Sequence, residues 1–153
     1  MFKLFYASVL LFVLGFFTYV SAAEPENIAL KKTAVASSVE SDSYTADKAF
    51  DGDTATRWSS LFSDDQWIYV DLQKQYTISG VQLIWETAFG KEYKLQISND
   101  AKAWTDVYAT DKGKGQTEDI TIEAKPARYV KLLGIKRGTE FGYSLFEFKV
   151  FGK

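Results

Sequence analysis

The chain has 153 residues with 18 basic and 20 acidic side chains, a formal charge of −2, and neither histidine nor cysteine. Zero histidine removes Ser-His-Asp and Cys-His catalysis and the usual zinc sites, while zero cysteine removes disulfides and lipoprotein-type lipidation. The slight acidic balance argues against nucleic acid and against an anionic membrane surface, both of which want clustered Lys and Arg.

Lys3 is the only charge before Glu24, Leu4–Val20 is almost wholly apolar or aromatic, and Ser21-Ala22-Ala23 supplies small residues. This pattern predicts a signal peptide over residues 1–23, cleaved after Ala23; the apolar stretch falls somewhat short of the ~20 residues of a membrane span. The expected location is secreted and extracellular (periplasmic in a bacterium), with no membrane insertion after cleavage. Loss of residues 1–23 removes Lys3 and no acid, so residues 24–153 carry a charge of −3 and make about one domain.

In chain order, Glu24–Asn27 is a polar leader and Ile28–Ala36 reads as a first strand. Ser37–Ala46 is a turn-rich loop containing Asp42 and Tyr44, and Asp47–Phe50 a helical turn. Lys48–Ser60 packs Asp51 and Asp53 around Gly52, with hydroxyls just ahead of Trp58. Asp51, Asp53 and Thr56 offer hard oxygen at short intervals, as a calcium ion requires; the competing reading is a turn capped by the same side chains. Trp67–Leu72 alternates with Ile68, Val70 and Leu72 on one face. Tyr76–Trp85, Tyr93–Ser98, Thr105–Ala109, Thr117–Ile122, Arg128–Ile135 and Ser144–Phe151 read as further strands, with Pro126 as a breaker and Phe146, Phe148 and Val150 sharing one face.

Eight short strands with turn residues between them, and no long 3.6-residue period, predict an all-β chain. Aromatic residues at inward positions suit two antiparallel sheets packed face to face, a jelly-roll or Greek-key β-sandwich, with a closed barrel as the competing architecture.

Five segments stand in a familiar order: AFDGDTATRW (Ala49–Trp58), WIYVDL (Trp67–Leu72), YKLQISNDAKAW (Tyr93–Trp104), ARYVKL (Ala127–Leu132) and GYSLFEFKVFG (Gly142–Gly152). In this the chain resembles discoidin domains, also called coagulation factor 5/8 type C domains, which include carbohydrate-binding module family 32. The resemblance spans residues 24–153. It implies a galactose-binding-like jelly roll that binds sugars or cell surfaces through loops at one end and is not catalytic. It also implies a structural calcium ion held by the Lys48 carbonyl, Asp51, Asp53, Thr56 and Glu147.

A sugar is gripped by an aromatic plane under its C–H face and by polar groups on its hydroxyls. The loops able to supply these are Val39–Tyr44, Ser59–Gln66, Trp85–Lys91 and Lys136–Tyr143. Phe62 lies in the polar stretch SSLFSDD, where the galactose-binding relatives carry their aromatic platform; folding back onto the core is the equal alternative. Those relatives have His where Ser59 stands and Arg where Glu86 stands. This sequence departs at both, which leaves Asp42, Asp64, Glu86 and Lys91 for hydroxyl binding. Trp85 continues the Val81 and Leu83 face and so competes between core and site, while Arg137 and Tyr143 flank the last loop. The expected function is a secreted, non-catalytic carbohydrate-binding module for a glycan or polysaccharide, with β-glucan or another neutral polymer preferred on resemblance. The alternative is a cell-surface adhesion or protein-binding domain. A small glycosidase is disfavoured because no spacing singles out a carboxylate pair.

Overall fold

A computed structural model describes residues 25–153; the predicted leader over residues 1–23 lies outside them. The elements are β1 (Thr33–Ala36), a 3-10 turn (Ala46–Ala49), β2 (Trp58–Ser59), β3 (Trp67–Trp85), β4 (Gly90–Ser98), β5 (Thr105–Thr110), β6 (Thr117–Arg137) and β7 (Ser144–Gly152). Every strand pairing is antiparallel, in the order β2-β7-β3-β6-β4-β5, with β1 added to β3. Among the described residues, no helix is long and apolar enough to cross a membrane.

The all-β expectation holds, and three of its strand assignments change. Trp67–Leu72 and Tyr76–Trp85 are one strand, β3, whose register shifts between Asp71 and Tyr76 and between Ile78 and Gly80. Thr117–Ile122 and Arg128–Ile135 are likewise one strand, β6. Pro126 does not break it, because it pairs with Thr77 between the two register shifts, where the ladder can lose a donor. The predicted first strand shortens to Thr33–Ala36; Ile28 and Ala29 are buried ahead of it, before Lys31 turns the chain at φ 56°.

The two long strands build both layers. The first part of β3 pairs with Ala127–Leu133 of β6, and the last part pairs with Thr117–Thr121 and with β7. One core cluster joins Ile68, Val70, Leu95 and Leu132 from the first layer to Val81, Leu83, Ile120, Phe148 and Val150 from the second. This is the expected sandwich, closed by side chains that alternate inward along each strand. In β7, Phe146 is only half-buried while Leu145 and Glu147 are buried. A register irregularity opposite Ile84 and Trp85 breaks the simple alternation expected there.

Candidate functional site

The segments leaving β1, β2, β3 and β6 converge at one end of the sandwich. Ser37 and Ser38 both donate their hydroxyls to Gln66 Oε1, at 2.6 and 2.5 Å, and Gln66 Nε2 donates to Ser63 Oγ at 2.6 Å. Ser60 N–H donates to the Tyr143 carbonyl and accepts Tyr143 N–H on its Oγ, both at 2.9 Å. Trp58 Nε1 donates to the Ser38 carbonyl at 3.1 Å, which ties the β1–β2 segment to a fully buried indole. These bonds give irregular backbone fixed partners, so the end of the molecule is preformed.

Between the segments lies a cleft of about 280 Å³ lined by Glu40, Arg57, Ser59, Phe62, Glu86, Thr87, Ala88 and Phe141. Phe62 is 52% exposed and meets Phe141 edge to face, with ring centroids 5.7 Å apart at 79°. Of the two readings of Phe62, the exposed one describes its position. Arg57 lays its guanidinium on the Tyr44 ring, 3.9 Å from the centroid. Glu86 Oε2 accepts Ala88 N–H at 3.1 Å. Burial opposes the ionisation of Glu86, yet the Ala88 and Thr87 donors and the Arg57 charge outweigh it and hold its carboxyl below its ordinary value. Two acids, a cation and a pair of phenyl rings thus share one opening, an arrangement suited to a ligand with an apolar face and polar or cationic edges.

The expected site residues divide. Ser59, Phe62 and Glu86 line the cleft, and Tyr44 backs it beneath Arg57. Asp42 and Lys91 are exposed but do not line it. Asp64 and Arg137 are paired with one another, Nε to Oδ1 at 3.0 Å. Trp85 and Tyr143 are core residues: Trp85 packs edge to face on Tyr93, and Tyr143 is enclosed against Gly134 and Gly90. Neither ring has a free face for a sugar. Sequence reasoning missed Glu40, Arg57, Thr87, Ala88 and Phe141. Phe141 carried the same signal as Phe62, a lone aromatic in a polar loop.

The predicted cation residues gather at the Asp51-Gly52-Asp53 turn and do not line the cleft. Asp51 Oδ1 accepts Asp53 N–H at 2.9 Å, its Oδ2 accepts the Thr56 hydroxyl at 2.7 Å, and Lys48 Nζ stands 3.9 Å from that Oδ2. Glu147, 1% exposed, accepts Gly52 N–H on Oε1 at 2.8 Å and leaves Oε2 buried with no protein partner. Among the described residues no three acidic side chains converge on one point. A cation here would draw on carbonyl and hydroxyl oxygens together with the orphaned carboxylate oxygen, a donor set that fits calcium.

A family profile described as the F5/8 type C domain matches residues 33–148. Among solved structures, chitosan-binding module 1 of a chitosanase/glucanase from Paenibacillus sp. IK-5 is 48% identical, covering 83% of this chain and 99% of its own at a TM-score of 0.81. Module 2 of the same enzyme, solved in complex with chitotriose, is 44% identical over 82% of this chain and all of that one, at 0.80. The polysaccharide lyase 8 family protein HylA of Enterococcus faecalis is 30% identical over an alignment of 128 residues that covers 76% of this chain and 9% of that relative's length.

Proposed function

From the premise that the chain belongs to the F5/8 type C domain family, we propose that it is a non-catalytic carbohydrate-binding module for a chitosan-type glycan. The observation that carries the reading is an exposed Phe62 ring beside Glu40 and Glu86 in a preformed cleft. The ring covers the C–H face of a pyranose, and the carboxylates make charge-assisted bonds to a protonated amine on the sugar. Relatives at 44–48% identity that bear the name chitosan-binding support a cationic polymer over the neutral β-glucan expected from sequence. Arg57 offsets part of the acidic charge and, stacked on Tyr44, is a rigid donor to hydroxyls. Membership of the F5/8 type C family supports a cleft that holds its ligand without cleaving it.

A small, open cleft of this kind binds with a Kd of about 0.1–1 mM, and avidity on a repeating polymer compensates for the weakness. The apolar leader supports export, and a polymer ligand suits a protein outside the cytoplasm. A calcium ion at Lys48, Asp51, Asp53, Thr56 and Glu147 would tie the turn before β2 to β7 and supply structural stability without lining the cleft.

Titration with chitotriose, its fully N-acetylated counterpart and a β-glucan trisaccharide tests the reading. Chitotriose is expected to bind at least several-fold tighter than the others, with the preference lost in Glu86→Gln. Equal binding of all three, unaffected by Glu86→Gln, overturns the cationic ligand, and binding of none overturns the glycan reading.

A further inference from the structure

Asp64 and Arg137 stand 73 positions apart in sequence and meet twice. Arg137 donates its backbone N–H to Asp64 Oδ1 at 2.9 Å and its Nε to the same oxygen at 3.0 Å. The guanidinium then turns its Nη1 to the carbonyls of Glu140 at 3.0 Å and Phe141 at 3.3 Å. A single side chain therefore closes the 137–141 segment on itself and fastens it to the segment bearing Phe62.

This matters because the two rings at the mouth of the cleft are not held by core packing. Phe62 and Phe141 are 52% and 44% exposed, so burial in the core does not select their rotamers. The roots of their segments are joined by Ser60 and Tyr143, and Gly138 N–H donates to the Phe89 carbonyl at 2.7 Å. At the tips, Asp64 lies two residues after Phe62, and Arg137 four before Phe141. We propose that Asp64 and Arg137 are a positioning pair that fixes Phe62 and Phe141 as one two-ring wall of the cleft, without touching the glycan. Neither residue lines the cleft, and Nε and Nη1 of Arg137 are already committed within the protein. The bonds from Arg137, its backbone N–H first, hold the Asp64 carboxyl below its ordinary value, so Asp64 accepts them as a carboxylate over the neutral range.

The ligand arm of the test rests on the glycan reading; the exchange arm does not. Amide hydrogen exchange of the ligand-free chain is followed over residues 61–65 and 137–141 in Asp64→Ala, Arg137→Gln and Arg137→Lys. Each variant is expected to speed exchange in both segments, because each loses the Nε bond across them and Asp64→Ala loses the backbone bond as well. Chitotriose affinity is expected to fall about tenfold in each, with the double variant no worse than either single one. Arg137→Lys keeps the charge but cannot span Asp64 and two carbonyls, so it does not rescue. Rescue by Lys, or loss of affinity in Arg137→Gln alone with unchanged exchange around Phe62, would make Arg137 a direct ligand contact and overturn the proposal. Unchanged exchange in every variant would also overturn it. Failure of the wild type to bind chitotriose would sink the glycan reading, while the exchange result would still decide the tie.

Discussion

Gly52 N–H donates to Glu147 Oε1 at 2.8 Å, joining the acidic turn before β2 to the buried face of β7 across 95 positions. Burial raises the Glu147 pKa from its ordinary 4.5 to about 7, the Gly52 donor opposing and the Asp51 charge reinforcing the shift. Without metal, the folded chain therefore holds a proton that the unfolded chain has already released between those two values. Stability is greatest below about pH 4.5 as far as this group goes, falls as pH rises through about 7, and is level above. The loss is at most on the order of 3 kcal/mol. Thermal melts in chelator are expected to show the fall in the wild type and not in Glu147→Gln, which keeps an acceptor for Gly52. Calcium added at pH 8 is expected to raise the wild-type melting temperature and leave the variant's unmoved. A wild type indifferent to chelator, calcium and pH across that window would count against both the shift and the ion.

Phe62→Ala separates binding from folding. The ring is half exposed and touches Phe141, so its removal opens no core cavity and is expected to cost less than about 1 kcal/mol of stability. Loss of the sugar-facing plane is expected to weaken chitotriose binding by tenfold or more, on the order of 1.4 kcal/mol. A large drop in melting temperature with affinity retained would place the ring's role in the fold.

The pattern of residues made some of this legible and hid the rest for definable reasons. Ile68, Val70 and Leu72 announce an inward face because a strand repeats every two residues, and their burial follows. The continuity of β3 through Gln73–Gln75 is not legible, because a register shift interrupts the alternation just as a turn does. Phe62 reads from its polar neighbours as a candidate platform or, equally, as a ring folded back onto the core; its exposure is seen only in the fold. Tyr143 does not read as buried, since its burial depends on Gly134, on another strand, having no Cβ to collide with the ring. Asp64 and Arg137 read as ligand residues because each is a charge in a loop; only the fold shows that each is the other's partner.

Gly142 joins the last loop to β7 at a point where an added Cβ would meet Ser60 Oγ at 2.5 Å and the Leu61 carbonyl at 2.6 Å. Neither contact is the free end of a flexible chain, so Gly142→Ala must push the Ser60–Phe62 backbone away from Tyr143. The expected cost is about 1–3 kcal/mol, as in overpacked cores. Because the displaced backbone carries Phe62, chitotriose affinity should fall as well, measured well below the variant's melting temperature. A stable variant with wild-type affinity would mean that the loop roots are less tightly packed than the Ser60–Tyr143 bonds indicate.

Tyr143 offers a substitution whose sign differs between a core role and a ligand role. Its side chain is 1% exposed, yet its hydroxyl is buried with no hydrogen-bond partner in the protein. A buried, unsatisfied hydroxyl costs about 1–3 kcal/mol, whereas the ring itself contributes packing against Gly134 and Gly90. Tyr143→Phe keeps the ring and deletes the unsatisfied oxygen, so it is expected to raise stability, within that range, and to leave chitotriose affinity unchanged. Tyr143→Ala, by contrast, empties a core position and should cost about 3–5 kcal/mol by analogy with other buried aromatic residues. If Tyr143 instead reached the sugar through its hydroxyl, Tyr143→Phe would lose affinity with no gain in melting temperature, and paired melting and titration measurements on that one variant distinguish the two.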